Sequence, residues 1–287
     1  MSLFGNDIDY EMPSSRNCAE FVGTGELRKR LSALNIEWRG KEAAAKKGVS
    51  KVVIGLVGSG EVFLEACQSS IRAIKSGKCS SSELLGTIRI VRDDGDKHSG
   101  VSETSAKECD VVGEIRRISD TTALVVFHKE ISAFDAPSCA ISLFKELDLK
   151  LCRVMILDSL NVFKMYGREK DRNGARALWT STWDCRSMGG KIQVLKPPAM
   201  LDGMSAALVA HCEMSGVAAI AYVVPRETHL FVECRSLSMF EVALEAIFDS
   251  EDNTRSKEIQ KLLPGSYRSA IEKFGATGTS DSLHLYS

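Results

Sequence analysis

The 287-residue sequence predicts an α/β fold: a single layered domain in which a mixed, mostly parallel sheet is flanked by helices. Three stretches carry that prediction. Leu201 to Val224 reads as a buried helix, a glycine turn and a buried strand. Lys51 to Ile74 reads as a buried strand, a glycine turn and a helix. Asp110 to His128 holds two strands joined by a turn too short for a crossover helix, so part of the sheet has to be antiparallel.

Residues 1–25 mix acidic, polar and small side chains around Pro13 without an apolar period, and are expected to be a flexible amino-terminal segment. In residues 26–48, Leu27, Leu31, Leu34 and Trp38 fall at i, i+4, i+7 and i+11, with Arg28, Lys29, Arg30, Arg39 and Lys41 on other faces. That spacing predicts a basic amphipathic helix, either a surface helix of its own domain or a docking arm for an acidic partner.

Residues 49–274 form the expected α/β body. After the strand KVVIGLV, Gly58-Ser59-Gly60 leads into a helix from Val62 to Ile74, the place where α/β folds hold phosphates. Read as a dinucleotide fingerprint, the run puts Phe63 where a third glycine is needed, and no acidic residue follows at the usual distance. No basic or hydroxyl group completes a phosphate cradle, so the turn is expected to connect strand and helix without a ligand.

Strands are expected at Leu85 to Val91, Asp110 to Ile118, Thr122 to His128 and Leu151 to Leu157, with a solvated loop over Arg92 to Lys107. Asp135 is placed to cap a helix that has Pro137 in its first turn and Ile141, Phe144 and Leu147 on one face. Trp179 and Trp183, four apart, are either core or a partner surface. In the helix from Leu201, Met204, Leu208 and Cys212 recur at helical spacing, while Ala206, Ala207 and Ala210 leave room for close approach to a sheet. Gly216 suits a left-handed helix end, and Val217 to Val224 is a doubly covered strand. Leu230 to Cys234 follows as a strand, and Met239 to Phe248 as a helix with Ser238 and Glu241 spaced as a capping box. Shorter helices are expected at Glu258 to Leu263 and Tyr267 to Phe274. Residues 275–287 form a flexible tail by composition, ending Leu283-His284-Leu285-Tyr286-Ser287.

A net charge of -1 gives no overall electrostatic case for nucleic acid or an anionic membrane. The nine cysteines include no CxxC pair and are expected as core fillers rather than a zinc framework. With no charged-then-apolar leader and no apolar run of membrane-spanning length, a reduced cytosolic or nuclear protein is expected. The five histidines are isolated, and there is no HExxH, GxSxG, GxxxxGK[ST] or spaced acidic cluster, so no catalytic residue, cofactor or metal is assigned. His211 and Cys212 are adjacent, but neighbouring helical residues point about 100° apart, which favours packing over a nucleophile and base pair.

The runs SAALVAHCEMSGVAAIAYVV and KVVIGLVGSGEVFL, with Leu3-Phe4-Gly5 and the terminal Leu285-Tyr286-Ser287, resemble the proteasome assembly chaperone 1 family over most of the chain. Its members are the first subunits of a heterodimeric chaperone that sits on the α-ring. The resemblance implies a fold like the purine nucleoside phosphorylases without their chemistry, and a second, paralogous chaperone subunit as partner. It further implies that a hydrophobic-Tyr-any carboxy terminus enters a pocket between proteasome α-subunits. There Leu285 would fill an apolar groove, Tyr286 would anchor, and the carboxylate of Ser287 would pair with a lysine. The competing class is an α/β enzyme acting on a nucleoside or dinucleotide at Gly58-Ser59-Gly60.

Overall fold

A computed structural model describes residues 33–39, 48–75, 83–91, 110–164, 174–184, 192–197, 199–227, 232–248 and 253–282. In chain order the strands are β1 (Ala33–Trp38), β2 (Lys51–Gly55), β3 (Glu83–Val91), β4 (Asp110–Arg117), β5 (Thr122–Phe127), β6 (Arg153–Asn161), β7 (Arg176–Trp179), β8 (Gln193–Val194) and β9 (Ala219–Arg226). The helices are α1 (Ser59–Lys75), α2 (Ala136–Leu147), α3 (Gly203–Met214), α4 (Cys234–Met239), α5 (Leu244–Ile247) and α6 (Asn253–Ser282). All nine strands join one sheet in the order β1-β3-β4-β5-β2-β6-β9-β7-β8. Its centre, β5-β2-β6-β9, is parallel. One flank is extended by the antiparallel strands β4, β3 and β1, and the other by β7, antiparallel to β9, with β8 beside it.

Strand alternation divides the core in two. Val52, Ile54, Val154, Ile156, Ala219 and Ala221 face α2 and α3, whereas Val53, Met155, Leu157, Ile220 and Tyr222 face α1 and the carboxy-terminal helices. Each central strand is therefore apolar on both faces, which is why these runs read as continuous hydrophobic stretches. Among the described residues no helix is long and apolar enough to cross a membrane.

Helix and sheet approach closely at α1. A Cβ added to Gly60 would lie 2.1 Å from the carbonyl oxygen of Leu157, and one added to Gly55 would lie 2.8 Å from that of Gly60. Gly60 thus does the work that the fingerprint assigns to a third glycine. Phe63 is buried on the same face, with ring centroids 5.4 Å from Phe240 and 6.4 Å from Tyr267.

Several expected elements differ. The helix expected over 26–48 is contradicted by β1: Leu34 and Ile36 are buried while Asn35 and Glu37 are exposed, a period of two that pairs with β3. The spacing of Leu34 and Trp38 satisfies both periods, and Ile36 discriminates between them. Leu27 and Leu31 lie outside the described residues, as do the segment 1–25 and the loop over 92–107. On α2 the buried face is Ala136, Cys139, Ala140, Leu143 and Phe144, so Ile141 points to solvent. Asp135 occupies the cap position without a side-chain cap bond; its carboxylate accepts the Ser132 hydroxyl at 2.7 Å. On α3 the buried residues are Met204, Ser205, Leu208, Val209 and Cys212, and Ala210 is exposed. Of the three alanines, Ala207 packs half-buried against the core cluster, and Ala210 lies outside the contact.

Trp179 ends β7 and Trp183 follows in a turn; both pack half-buried against the core cluster on the α1 side. Cys234 opens a helix where a strand end was expected, while residues 228–231 lie outside the described set. Ser238 donates to the carbonyl of Arg235 instead of capping, and Glu241 accepts the Tyr267 hydroxyl at 3.0 Å. The two short helices expected near the end are one, α6, which runs through Pro264 and continues over Gly275–Ser282, the stretch whose composition suggested a tail. Ile259, Leu263, Tyr267 and Ala270, buried at i, i+4, i+8 and i+11, hold one face of α6 on the core, and that packing overrides the proline.

Candidate functional site

The carboxyl ends of the parallel strands open into a small crevice of about 100 Å³, lined by Leu56, Val57, Lys129, Asp158, Ser159, Asp202, Met204 and Arg226 among others. This is where open α/β sheets place ligands. Gly58, just before α1, stands beside two of its lining residues, Ser159 and Arg226. Gly58 has φ +97°, a conformation that only glycine holds without strain, and it lets the chain turn sharply over the end of β6.

The expectation that nothing completes a phosphate cradle is corrected here. Ser159 at the end of β6 and Arg226 at the end of β9 both reach the glycine turn. A Cβ on Gly58 would lie 3.0 Å from Nη1 of Arg226 and 3.6 Å from Oγ of Ser159. Neither residue belongs to a local motif, because the fold brings them from about 100 and 168 positions along the chain. The readable signal was polar residues closing apolar strand runs, Asp158-Ser159 after VMIL and Arg226 after YVVP.

On the α3 side of the same crevice, burial pushes the carboxyl of Asp158 up to about 6, against the opposing effects of the Ser205 hydroxyl, the Ser159 backbone N–H and the Arg226 charge. The Ser159 N–H donates to Asp158 at 2.7 Å. Asp202, at the start of α3, is paired with Lys164.

A second, larger cleft of about 480 Å³ runs between α1, β4 and α6. In it Nδ1 of His128 lies 2.8 Å from Oε1 of Glu61, Lys273 pairs with Glu65 at 3.2 Å, and Arg116 makes a two-pronged bond to Glu114. Donating its Nδ1–H to the Glu61 carboxylate holds His128 above its ordinary value of 6.5, with the charges of Glu61, Glu114 and Glu65 adding to it and burial opposing. A raised histidine contributes stability that is complete below the unfolded value and is lost as pH rises through the folded one. Wild type should therefore exceed Glu61→Gln in stability most below about pH 6.5, by under about 1 kcal/mol at this partly exposed position, and the margin should shrink toward pH 8. Urea unfolding across that range checks it; a margin independent of pH contradicts it.

Among the described residues no three histidine, cysteine or acidic groups are placed to hold a metal. His211 packs edge-on against Phe144, with centroids 4.5 Å apart, the helix-packing role expected for it. Cys67, Cys139, Cys152 and Cys212 are buried, and burial pushes Cys139 and Cys212 up to about 12, which makes them inert fillers; Cys234 is exposed. Leu285, Tyr286 and Ser287 lie outside the described residues.

No family model and no curated sequence matches the chain. Solved structures do. PbaB from Pyrococcus furiosus, an archaeal proteasome activator, superposes with a TM-score of 0.52 at 12% identity, over 80% of this chain and 97% of that one. A protein of unknown function from Thermoplasma acidophilum superposes at 0.50 with 13% identity, over 88% of this chain and 99% of the other. The neighbours also include P. furiosus PbaA, an archaeal homologue of proteasome-assembly chaperone, at 0.49 and 13% identity over 88% and 99%. The chain has the α/β fold that PbaB and the Thermoplasma protein share.

Proposed function

We propose that this chain is a non-enzymatic proteasome assembly chaperone that works in the cytosol or nucleus. It pairs with a second chaperone subunit, binds the α-ring of assembling core particles, and inserts Leu285-Tyr286-Ser287 into a pocket between α-subunits. The observation that carries the reading is the combination of the resembling runs, which form β2-α1 and α3-β9 at the centre of the sheet, with a hydrophobic-Tyr-any end beyond α6. The shared fold with PbaB, itself an archaeal proteasome activator, supports it.

Helix α6 adds a physical element. Its last side chain packed on the core, among the described residues, is Phe274, and the backbone continues helically to Ser282. Eight helical residues carry the terminal segment about 12 Å onward at roughly 1.5 Å per residue, half the reach of an extended tether. A helical stalk presents the final residues with less ordering to be done on binding.

Pairing has a surface to draw on, though a different one from that suggested by the tryptophans. Phe134 is 56% and Ile141 54% exposed, seven residues apart on one side of the α2 region with exposed Pro137 between them. Expressed alone, the chain should self-associate or dissolve poorly, and co-expression with the partner subunit should relieve this, a stable pair burying roughly 1,200 to 2,000 Å². Sedimentation of the chain with and without its partner checks it; a monomer that stays well behaved at high concentration and ignores the partner contradicts it.

A pull-down from cell extract separates this reading from its competitor, an α/β enzyme binding a nucleoside or dinucleotide at the glycine turn. Recovery of α-subunits and a second chaperone supports the first; a bound nucleoside without them supports the second.

A further inference from the structure

We propose that the sheet end beneath the Gly58 turn is a binding site for a small tetrahedral oxyanion, phosphate or sulfate, held by the Ser159 hydroxyl, the Arg226 guanidinium and the first backbone N–H groups of α1. Ser159 is 6% exposed, and its Oγ has no hydrogen-bond partner among the described residues. Ser59, fully buried in the first turn of α1, has the same unpartnered hydroxyl. An unpaired buried hydroxyl is costly, and that of Ser159 belongs to the crevice lining, where a ligand would satisfy it. Ser159 and Arg226 both line the crevice space beside Gly58, with Oγ and Nη1 lying 3.6 and 3.0 Å from where a Cβ on that glycine would stand. Above that space begins a 17-residue helix whose positive end favours an anion.

Strand alternation sorts the charges. Leu157 and Val224 belong to the core on the α1 side, so Ser159 and Arg226, two residues further along β6 and β9, face that side as well. Asp158 falls on the opposite face with Asp202, whose carboxylate is occupied by Lys164. Glu61, in the first turn of α1, is turned to His128. Lys129, paired with Asp110 at 3.5 Å, stands on the crevice wall beside the exposed carboxylate of Glu130. A crevice of about 100 Å³ holds a few waters or one small ion, and is too confined for a nucleoside. Asp158 lines the same crevice from the other face and gains charge as pH climbs through about 6, so affinity for sulfate, whose own charge is constant, should fall over that interval.

The test is calorimetry and thermal unfolding of the full chain in phosphate-free buffer, titrated with inorganic phosphate, sulfate and ribose 5-phosphate against chloride at matched ionic strength. Phosphate and sulfate should give saturable heats and a saturable rise in Tm, chloride neither, and ribose 5-phosphate should bind more weakly than the free ion. Arg226→Gln should weaken phosphate at least about tenfold. Ser159→Ala should weaken it about fivefold or more while leaving Tm without phosphate unchanged or higher, because an orphaned hydroxyl has been removed. A merely structural serine would lower that Tm. No saturable response to either anion, or responses unchanged in both variants, overturns the site. Tighter binding of the sugar phosphate overturns the small-ion assignment.

Discussion

Replacing Gly60 by alanine should unfold or severely destabilise the protein, although the change adds a single methyl group. The new Cβ would meet the Leu157 carbonyl oxygen at 2.1 Å and its carbonyl carbon at 2.8 Å. Both belong to β6, which is locked between β2 and β9, so the obstacle is sheet backbone and no rotamer change relieves it. α1 would have to lift off the sheet, separating Phe63 and Leu64 from the core they fill. Overpacking against backbone that cannot move should cost roughly 4 kcal/mol or more, a large part of the roughly 5–15 kcal/mol that holds a domain together. Gly265→Ala is the control, since α6 leaves open space at that position and alanine should be neutral or stabilising by about 0.5–1 kcal/mol. Thermal unfolding should show Gly60→Ala melting roughly 10 °C or more below wild type, with Gly265→Ala at or above it. Equal melting temperatures for the two variants would contradict this account of the α1 contact.

That glycine also shows what a linear sequence conceals. The stretches around KVVIGLV and GVAAIAYVV were legible because strands covered on both faces leave long apolar runs. The hairpin β4-β5 was legible because its turn is too short for a crossover. The role of Gly60 was not, because the dinucleotide pattern directs attention to position 63, whereas close approach is decided by which residue passes over a β6 carbonyl. β1 was missed because Leu34 and Trp38, four apart, fit a helix and a strand equally well, and only pairing with β3 decides. The long α6 was missed because Pro264 and the glycines after it read as breakers, while the buried stripe from Ile259 to Ala270 spans them. Beside the crevice, Gly58 could be read locally, but Ser159 and Arg226 become neighbours only through the sheet order β2-β6-β9.

Removing Leu285-Tyr286-Ser287, or changing Tyr286→Ala, should weaken binding to assembling α-rings by roughly 30-fold or more, since a buried aromatic anchor and a desolvated charge pair are each typically worth about 2 to 4 kcal/mol. Folding should be untouched, because the side chains of α6 that pack on the core end at Phe274 among the described residues. The partner subunit should still bind, as pairing in this account uses the α2 surface around Phe134 and Ile141. A ring-binding defect that came with a lower melting temperature would instead trace to damage in α6.

The most direct measurement is the affinity for assembling α-rings of a chain extended by one residue after Ser287, taken beside Tyr286→Ala, with the partner's own tail disabled so that it cannot compensate. The extension leaves every side chain in place and moves only the terminal carboxylate, which the proposal pairs with a lysine of the pocket. The account predicts that both chains lose most of their ring binding while melting like the unmodified protein; both binding α-rings as the unmodified chain does would contradict it.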